Sequence, residues 1–580
     1  MINFKKFYQK LFQFYQQSFQ PWYHQLTTTI AQKCSPTWKK VNYFIQQHPL
    51  LTIWVIWFSC AAIIILASRQ VAFLFPFNDE TDHLLPGFLM FTQGQKLYQQ
   101  IITIHQPLPV IIGGLISLLA RRANIYVLIS DIRFLMSLYW FATSSLLIAR
   151  FRRRGLIVSL ITGLYHFAYL GFYVLAESLV LPALSAILLL TFEKYFDHSK
   201  FSRFDCLLFG FCLFYCCFNL LPIIPVIGIC ALIYLYQCYQ QKQPIIQAFL
   251  LIAGSFLLST ALLTTKINPL AWWQETIYNL LTIWLPEQGG GGLLSPRHWL
   301  AAIEYPAFSA LTTFHNFSWL AIWILLLWPG FYYYYHHRQS FWPLVAFYLL
   351  IVLLNNRISQ PNASIYNGFH LYPYLVGLSI YLIFIWEKFY PTLKSKQQLY
   401  FSLLICIWFL GVGSWLWAGT NRQAEYEINY LPQQALVNVI NILKQKDDVL
   451  LTGEEGWGYL NLLTDLPLAD RQNFHLLWSW YDDQLRHDFI NLFADHPPTF
   501  IYWPNTTGTG FPEMLYHEIL PSEYLELRGP EGSPSFLYLH KNVAASISAE
   551  VWQAYADTKY LIPDPEHPLA SPGAELKSTP

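Results

Sequence analysis

The sequence predicts a polytopic α-helical membrane protein that carries an α/β domain at its C-terminal end, and three observations lead there. Of 580 residues, 54% are hydrophobic and 18% aromatic against 12% charged, about half the roughly 25% charge of a soluble domain. Apolar runs of about 20 residues, the length a helix needs to cross a bilayer, recur between residues 50 and 418. After Thr420 charges return at regular intervals and the apolar runs become short. The net charge of +1 offers nothing to nucleic acid. The excess of Trp, Tyr and Phe suits membrane interfaces. The nine cysteines, all before Thr420 and mostly in apolar segments, predict no disulfide framework.

Residues 1–49 carry Lys5, Lys6, Lys10, Lys33, Lys39 and Lys40 and no acid, which places them on the cytoplasmic side. Phe4, Phe7, Leu11, Phe12 and Tyr15 recur at helical spacing, the pattern of an amphipathic helix on the membrane surface. A partner-binding helix is the competing reading. A long polar stretch precedes the first apolar run, so a cleavable signal peptide is not expected, and the first span acts as an uncleaved anchor.

Spans are expected at 50–68, 126–149, 156–173, 177–193, 205–221, 222–237, 245–264, 308–333, 341–354, 368–386 and 399–418, about eleven in all. The apolar segment 107–120 is only about 21 Å long as a helix and reads as membrane-parallel or half-inserted. With that choice the basic groups Arg150 to Arg154, Lys194 to Arg203, Lys242, Arg338 and Lys388 to Lys396 all fall inside, as the positive-inside rule requires. Arg121 and Arg122 are left outside. Thirteen spans are the alternative if an extra segment crosses.

Just beyond the first span, the stretch from Phe75 to Pro109 gathers Asp79, Glu80, Asp82 and His83, followed by Gly94, Tyr98, His105, Gln106, Pro107 and Pro109. Ionisable side chains at a membrane boundary are costly and are kept where they have a task. The plainer reading is that such acids cap a helix or mark a solvated loop. The topology brings three outer elements to one face: loop 69–125, the turn at Glu177 and loop 265–307. The last holds Lys266, four consecutive glycines from Gly289 to Gly292, Arg297 and His298. Four glycines give a loop free to close over a substrate, or a spacer. A further outer turn supplies Arg357.

The Asp79-Glu80 pair outside the first span, the G-x-x-x-Y element from Gly94 to Tyr98 and the H-x-P-x-P element from His105 to Pro109 resemble the first outer loop of the GT-C superfamily of membrane glycosyltransferases. The relatives suggested are the aminoarabinose transferase and protein O-mannosyltransferase families (glycosyltransferase family 39/83-like). The resemblance covers the general layout from about Phe75 to Thr420. It implies a GT-C fold and transfer of a sugar from a polyprenyl-phosphate donor to a lipid, glycan or protein acceptor on the extracytoplasmic face of a membrane, expected to be the bacterial inner membrane. It also suggests Glu177 as a second active-site carboxylate, against the reading that Glu177 snorkels or caps a helix.

Such chemistry needs a base and a cation. Asp79 is the expected base, its carboxyl raised by partial burial and by its acidic neighbours, and direct displacement inverts the anomeric centre. Glu80 or Glu177 would hold the sugar, the acceptor or Asp79. The departing phosphate calls for Arg or Lys, with Arg297, Lys266 and Arg357 as candidates and His83, His105 and His298 as further substrate contacts. Asp82 follows Thr81, and Gln106 precedes Pro107, where the aminoarabinose transferases carry basic residues, so phosphate contacts do not transfer from those positions. A divalent metal bridging Asp79, Glu80 and His83 is chemically open, although the spacing matches no closed site.

Two other classes compete. A transporter or flippase would carry mid-bilayer charges and Pro-broken helices, and Pro222 and Pro225 are the best such positions. An anchoring protein would need only the outer domain. That domain, 420–563, is expected to be α/β, with helices at 432–446 and 483–495 and strands at 449–453, 499–503, 523–528 and 535–541. The glycines of GEEGWG, Gly453, Gly456 and Gly458, follow a strand but do not fit a nucleotide loop. Residues 564–580 read as a disordered tail.

Overall fold

The computed structural model describes residues 47–73, 78–168, 172–279, 282, 346–347, 349–351, 353–355, 372–389, 422–453, 458–470, 483–504, 515–528, 535–557 and 562–563; the side chains of some of these, Asn78 and Asp79 among them, are not part of that description. The expected spans 308–333 and 399–418, most of 341–354, nearly all of 1–49 and the tail 564–580 lie outside it. The chain divides into two compact units, Met1–Ala62 and Ile63–Pro580.

Helix α1 (Pro49–Ser68) is apolar along its whole length and starts on a proline, which tolerates the first helical turn because it has no N–H to place. Chain-wise there follow α2 (Asn78–Thr92), α3 (Pro107–Leu119), α4 (Ile125–Phe151), α5 (Arg153–Ala168), α6 (Ala176–Phe196), α7 (Arg203–Cys217), α8 (Ile224–Gln240), α9 (Ile245–Thr264) and α10 (Tyr372–Phe389). Among the described residues, α1, α4, α6, α8 and α9, with the short turns that adjoin α1 and α8, are the five helices long and apolar enough to cross a membrane. They match five of the expected spans, and the chain is an integral membrane protein.

Helix α3 has 13 residues, too few to cross. Helix α7 differs from the expected span 205–221: it has 15 residues, and the chain leaves it at Phe218 and turns through Leu221–Ile223. Pro222 explains the break, since it has no N–H to continue the α7 ladder and sits instead in the first positions of the new turn.

At the end opposite α2, the arginines of the 150–154 run pair with acids from three other helices. Arg150 grips Asp205 through two hydrogen bonds of 2.6 and 2.7 Å, and Arg154 donates to Glu387 at 2.8 Å and pairs with Asp197 at 2.6 Å. The fork of arginine suits such two-point contacts, so the basic run also ties the ends of α4, α5, α6, α7 and α10 together.

The C-terminal part opens with α11 (Arg422–Asn429) and α12 (Leu431–Leu443), followed by α13 (Gly458–Thr464), α14 (Asp483–Asp495) and, near its end, α15 (Ala549–Asp557). Strands β1 (Leu450–Thr452), β2 (Phe500–Tyr502), β3 (Tyr524–Arg528), β4 (Leu537–His540) and β5 (Ile562–Pro563) form a sheet in the order β1-β2-β4-β3-β5. The β1–β2 pair is parallel, Leu450 facing Phe500, and the other pairs are antiparallel. All residues of β1 and β2 are buried, as expected of short continuous apolar strands in a parallel pair, although β1 stands at the edge of the sheet.

This layer is not free-standing. One hydrophobic cluster joins Phe73, Leu84, Leu85, Ile125 and Ile129 of the membrane part to Tyr430, Leu436, Val437 and Tyr459 of the C-terminal part. Polar ties reinforce it: the Ile125 amide donates to Gln434 Oε1 at 2.7 Å, Asn429 Nδ2 donates to the Phe73 carbonyl at 3.0 Å, and Arg122 pairs with Asp465.

Candidate active site

Helix α2 carries the acidic run, and its position is fixed on two sides. Along one side it lies against α3 with almost no side chain between the backbones. A Cβ on Gly87 would fall 2.1 Å from the Val110 carbonyl oxygen, and one on Gly114 would fall 2.4 Å from the Gly87 carbonyl carbon. Small residues at such crossings let helices approach closely in lipid. Ser117 adds a hydrogen bond to the Leu84 carbonyl at 3.3 Å. Against the other side packs α13, with a Cβ on Gly458 only 2.9 Å from Thr81 Cβ.

Between these supports lies Glu80, fully buried. Its Oε1 accepts hydrogen bonds from Arg133 Nη1 and, at 2.8 Å, from the Val174 amide, while its Oε2 accepts from the Tyr459 hydroxyl at 2.7 Å. Arg133 lies in α4 and is 2% exposed, with its guanidinium carbon 3.5 Å from the centre of the Tyr173 ring, a cation–π arrangement that replaces part of the lost hydration. Burial first, then the Glu80 charge, push the Tyr459 phenol well above its ordinary range, so it stays a hydrogen-bond donor at any physiological pH. Four separate stretches of sequence thus meet on one carboxylate.

The other sequence-predicted residues of this loop form a second group. Asp82 and His83 are buried on α2, the His83 and His105 rings lie with centroids 4.4 Å apart, and His105 Nε2 is 3.4 Å from Asp82 Oδ2. The Tyr98 hydroxyl donates to the His105 carbonyl at 2.7 Å, so the G-x-x-x-Y and H-x-P-x-P elements are bonded to each other. Gly94 adopts φ +67°, a left-handed turn that glycine makes without strain. Gln106 Oε1 accepts from Trp272 Nε1 at 3.1 Å, and the Trp272 and Phe218 rings are 5.2 Å apart. The stretch that follows α2 therefore meets the described residues after α9 at Gln106 and Trp272. Lys266 is exposed beside Ile267, which packs with Leu97 and Tyr98.

Glu177 is buried in the first turn of α6, shortly after the Val174 amide that Glu80 engages. An acid in a first helical turn is favoured by the helix dipole. Asp79 lies in the first turn of α2, while Arg297, His298 and Arg357 lie outside the described residues. Among the described residues no group of three or more His, Cys, Asp or Glu side chains is gathered for a metal ion. A divalent ion at Glu80 would meet the Arg133 guanidinium, so the described part of the Asp79-Glu80-His83 set does not fit the bridge.

Sequence reading did not single out Arg133 or Tyr459. Arg133 had a signal, a lone cation well inside an apolar span. Tyr459 had none, being one buried tyrosine bonded to a residue 379 positions away.

No family model and no curated protein matches the chain. Among solved structures it is similar to ArnT from Cupriavidus metallidurans bound to undecaprenyl phosphate, at 12% identity and a TM-score of 0.45 over 83% of this chain and 97% of that one. It is also similar to the oligosaccharyltransferase AglB from Archaeoglobus fulgidus in complex with an inhibitory peptide and a dolichol-phosphate, at 9% identity and a TM-score of 0.40 over 83% of this chain and 74% of that one. The apo form of the Archaeoglobus enzyme matches at 12% identity and a TM-score of 0.41, over 82% of this chain and 74% of that one. At such scores these likenesses assign neither fold nor activity to the chain.

Proposed function

We propose that the protein is a membrane glycosyltransferase of the GT-C kind that moves a sugar from a polyprenyl-phosphate donor to an acceptor hydroxyl on the extracytoplasmic face. The observation that carries this reading is the construction around Glu80: the acidic turn of α2, just beyond the first membrane helix, is braced by a buried arginine, a backbone amide and a tyrosine of the C-terminal domain. An anchoring protein has no use for a carboxylate buried with this many partners.

Asp79 takes the proton of the acceptor hydroxyl as that oxygen forms its bond to the anomeric carbon. The bond from that carbon to the phosphate oxygen breaks, and the phosphate leaves with the electron pair. Because a phosphate monoester anion is a weak base, no general acid is required, and a single displacement inverts the centre. Glu80 holds the turn that carries Asp79, and Glu177, in the first turn of α6, is assigned as the second carboxylate, holding the sugar, the acceptor or Asp79. Lys266, with Arg297, His298 and Arg357, is assigned to the charge that develops on the phosphate. His83 on α2 and His105, whose rings are neighbours, are assigned as further substrate contacts. The acceptor is a lipid, a glycan or a protein.

The test uses purified protein, a panel of polyprenyl-phosphate sugars and a membrane extract from the native host, and follows release of free polyprenyl phosphate. Turnover by the wild type that is lost in Asp79→Asn, while donor binding is kept, is the expected result. Turnover untouched by the substitution moves the base to another carboxylate. No turnover and no binding across the panel brings forward the transporter reading.

A further inference from the structure

We propose that Tyr459 is a positioning residue for this reaction, and that through it the C-terminal domain completes the active site. The inference rests on the transferase reading of the preceding subsection, and adds to it a role for the domain beyond residue 420. Tyr459 is 1% exposed, and its hydroxyl donates to Glu80 Oε2 at 2.7 Å. The neighbouring Gly458 touches Thr81 and Leu85 so closely that a Cβ would fall 2.9 Å and 3.4 Å from their Cβ atoms. Helix α13 therefore contacts residues 80, 81 and 85 of α2, next to the turn that holds Asp79.

Polar ties from both parts of the chain hold α13 there. Lys444 Nζ donates to the Thr464 carbonyl at 2.5 Å, capping the last turn of α13, and Arg122 reaches both the Leu462 carbonyl at 3.4 Å and Asp465. The ring of Tyr430 stands 6.3 Å from that of Tyr459. A domain that merely shielded the site would need apolar contact only. A buried hydroxyl aimed at a charged carboxylate is instead directional, and hydrogen bonds to charged groups are the stronger ones. Without the phenol, one lone pair of a buried carboxylate is left unsatisfied. The first turn of α2, and Asp79 with it, loses one of its fixed points.

The experiment uses the full chain in lipid nanodiscs and compares Tyr459→Phe with Tyr524→Phe. Tyr524 is buried in the same domain, where its hydroxyl donates to the Pro498 carbonyl at 2.9 Å without reaching α2. Hydrogen–deuterium exchange over residues 78–92 and steady-state donor turnover are both read. Tyr459→Phe is expected to speed exchange of that segment and to lower kcat by on the order of tenfold, with donor KM little changed; Tyr524→Phe leaves both near wild type. Unchanged exchange in Tyr459→Phe overturns the proposal, as does an equal effect of the two substitutions. Faster exchange with unchanged kcat reduces Tyr459 to a structural tie and also overturns it. A wild type with no donor turnover defeats the transferase reading instead, and the exchange comparison still decides whether Tyr459 fixes α2.

Discussion

Arg133 and Glu80 depend on each other. Both are buried, and Arg133 sits about 12 Å along α4 from its first residue, a depth at which a lone charge is expensive. Removing one partner leaves the other uncompensated, which typically costs about 3–5 kcal/mol, whereas replacing both by apolar groups is often close to neutral. Arg133→Met is therefore expected to lower the thermal midpoint in detergent strongly. The double variant Glu80→Leu/Arg133→Met should recover much of the loss, while donor turnover stays low in both because α2 has lost its anchor. If the double variant were no more stable than Arg133→Met, the pair would not be the coupled unit described. Glu80 was visible in the sequence, since three acids and a histidine crowd into one stretch. Its partners were not all visible, because pattern along the chain carries no information about which distant side chain will face a given carboxylate.

The placement of α2 turns on the absence of side chains at Gly87, Gly114 and Gly458. The first two let α2 and α3 touch backbone to backbone, and the third lets α13 settle on Thr81. Gly114→Val puts atoms where only backbone lies across the contact, so the helices must separate. Overpacking of this kind usually costs about 1–3 kcal/mol. Gly458→Ala adds a single carbon that meets Thr81 Cβ at 2.9 Å and Leu85 Cβ at 3.4 Å, a smaller overlap, so its effect should be smaller and felt in turnover more than in stability. Thermal midpoints and donor turnover measured for both variants check that order. Helices and strands were read well from sequence where period and length gave a strong signal: the expected helix 483–495 is Asp483–Asp495, and the strands at 449–453 and 499–503 are found one residue shorter at each end. The break after α7 was harder, because the run from 206 to 221 is apolar except for Asn219 and hides a helix end that Pro222 marks. The glycine contacts were harder still. A Gly-Gly pair in an apolar helix marks a close approach, but not what approaches.

At the scale of the larger unit, Ile63–Pro580, the described helices have two ends with different tasks. One end joins Arg150 and Arg154 to Asp197, Asp205 and Glu387. The other holds α2, the contact of Gln106 with Trp272, and the C-terminal layer. The proposed topology, argued from the positive-inside rule, puts the arginine end in the cytoplasm, and with it the C-terminal layer, which shares a hydrophobic cluster with α2, on the opposite side. This assignment has a direct check, because every native cysteine precedes Thr420 and can be replaced to leave a chain without thiols. Ala545→Cys in the C-terminal layer and Lys242→Cys after α8 are both at exposed positions. In intact cells a membrane-impermeant maleimide is expected to label Ala545→Cys, and Lys242→Cys only after the membrane is permeabilised. The reverse pattern would invert the topology. It would put the acidic turn of α2 on the side where nucleotide-linked sugars are available, and the need for a lipid-phosphate donor would disappear with it.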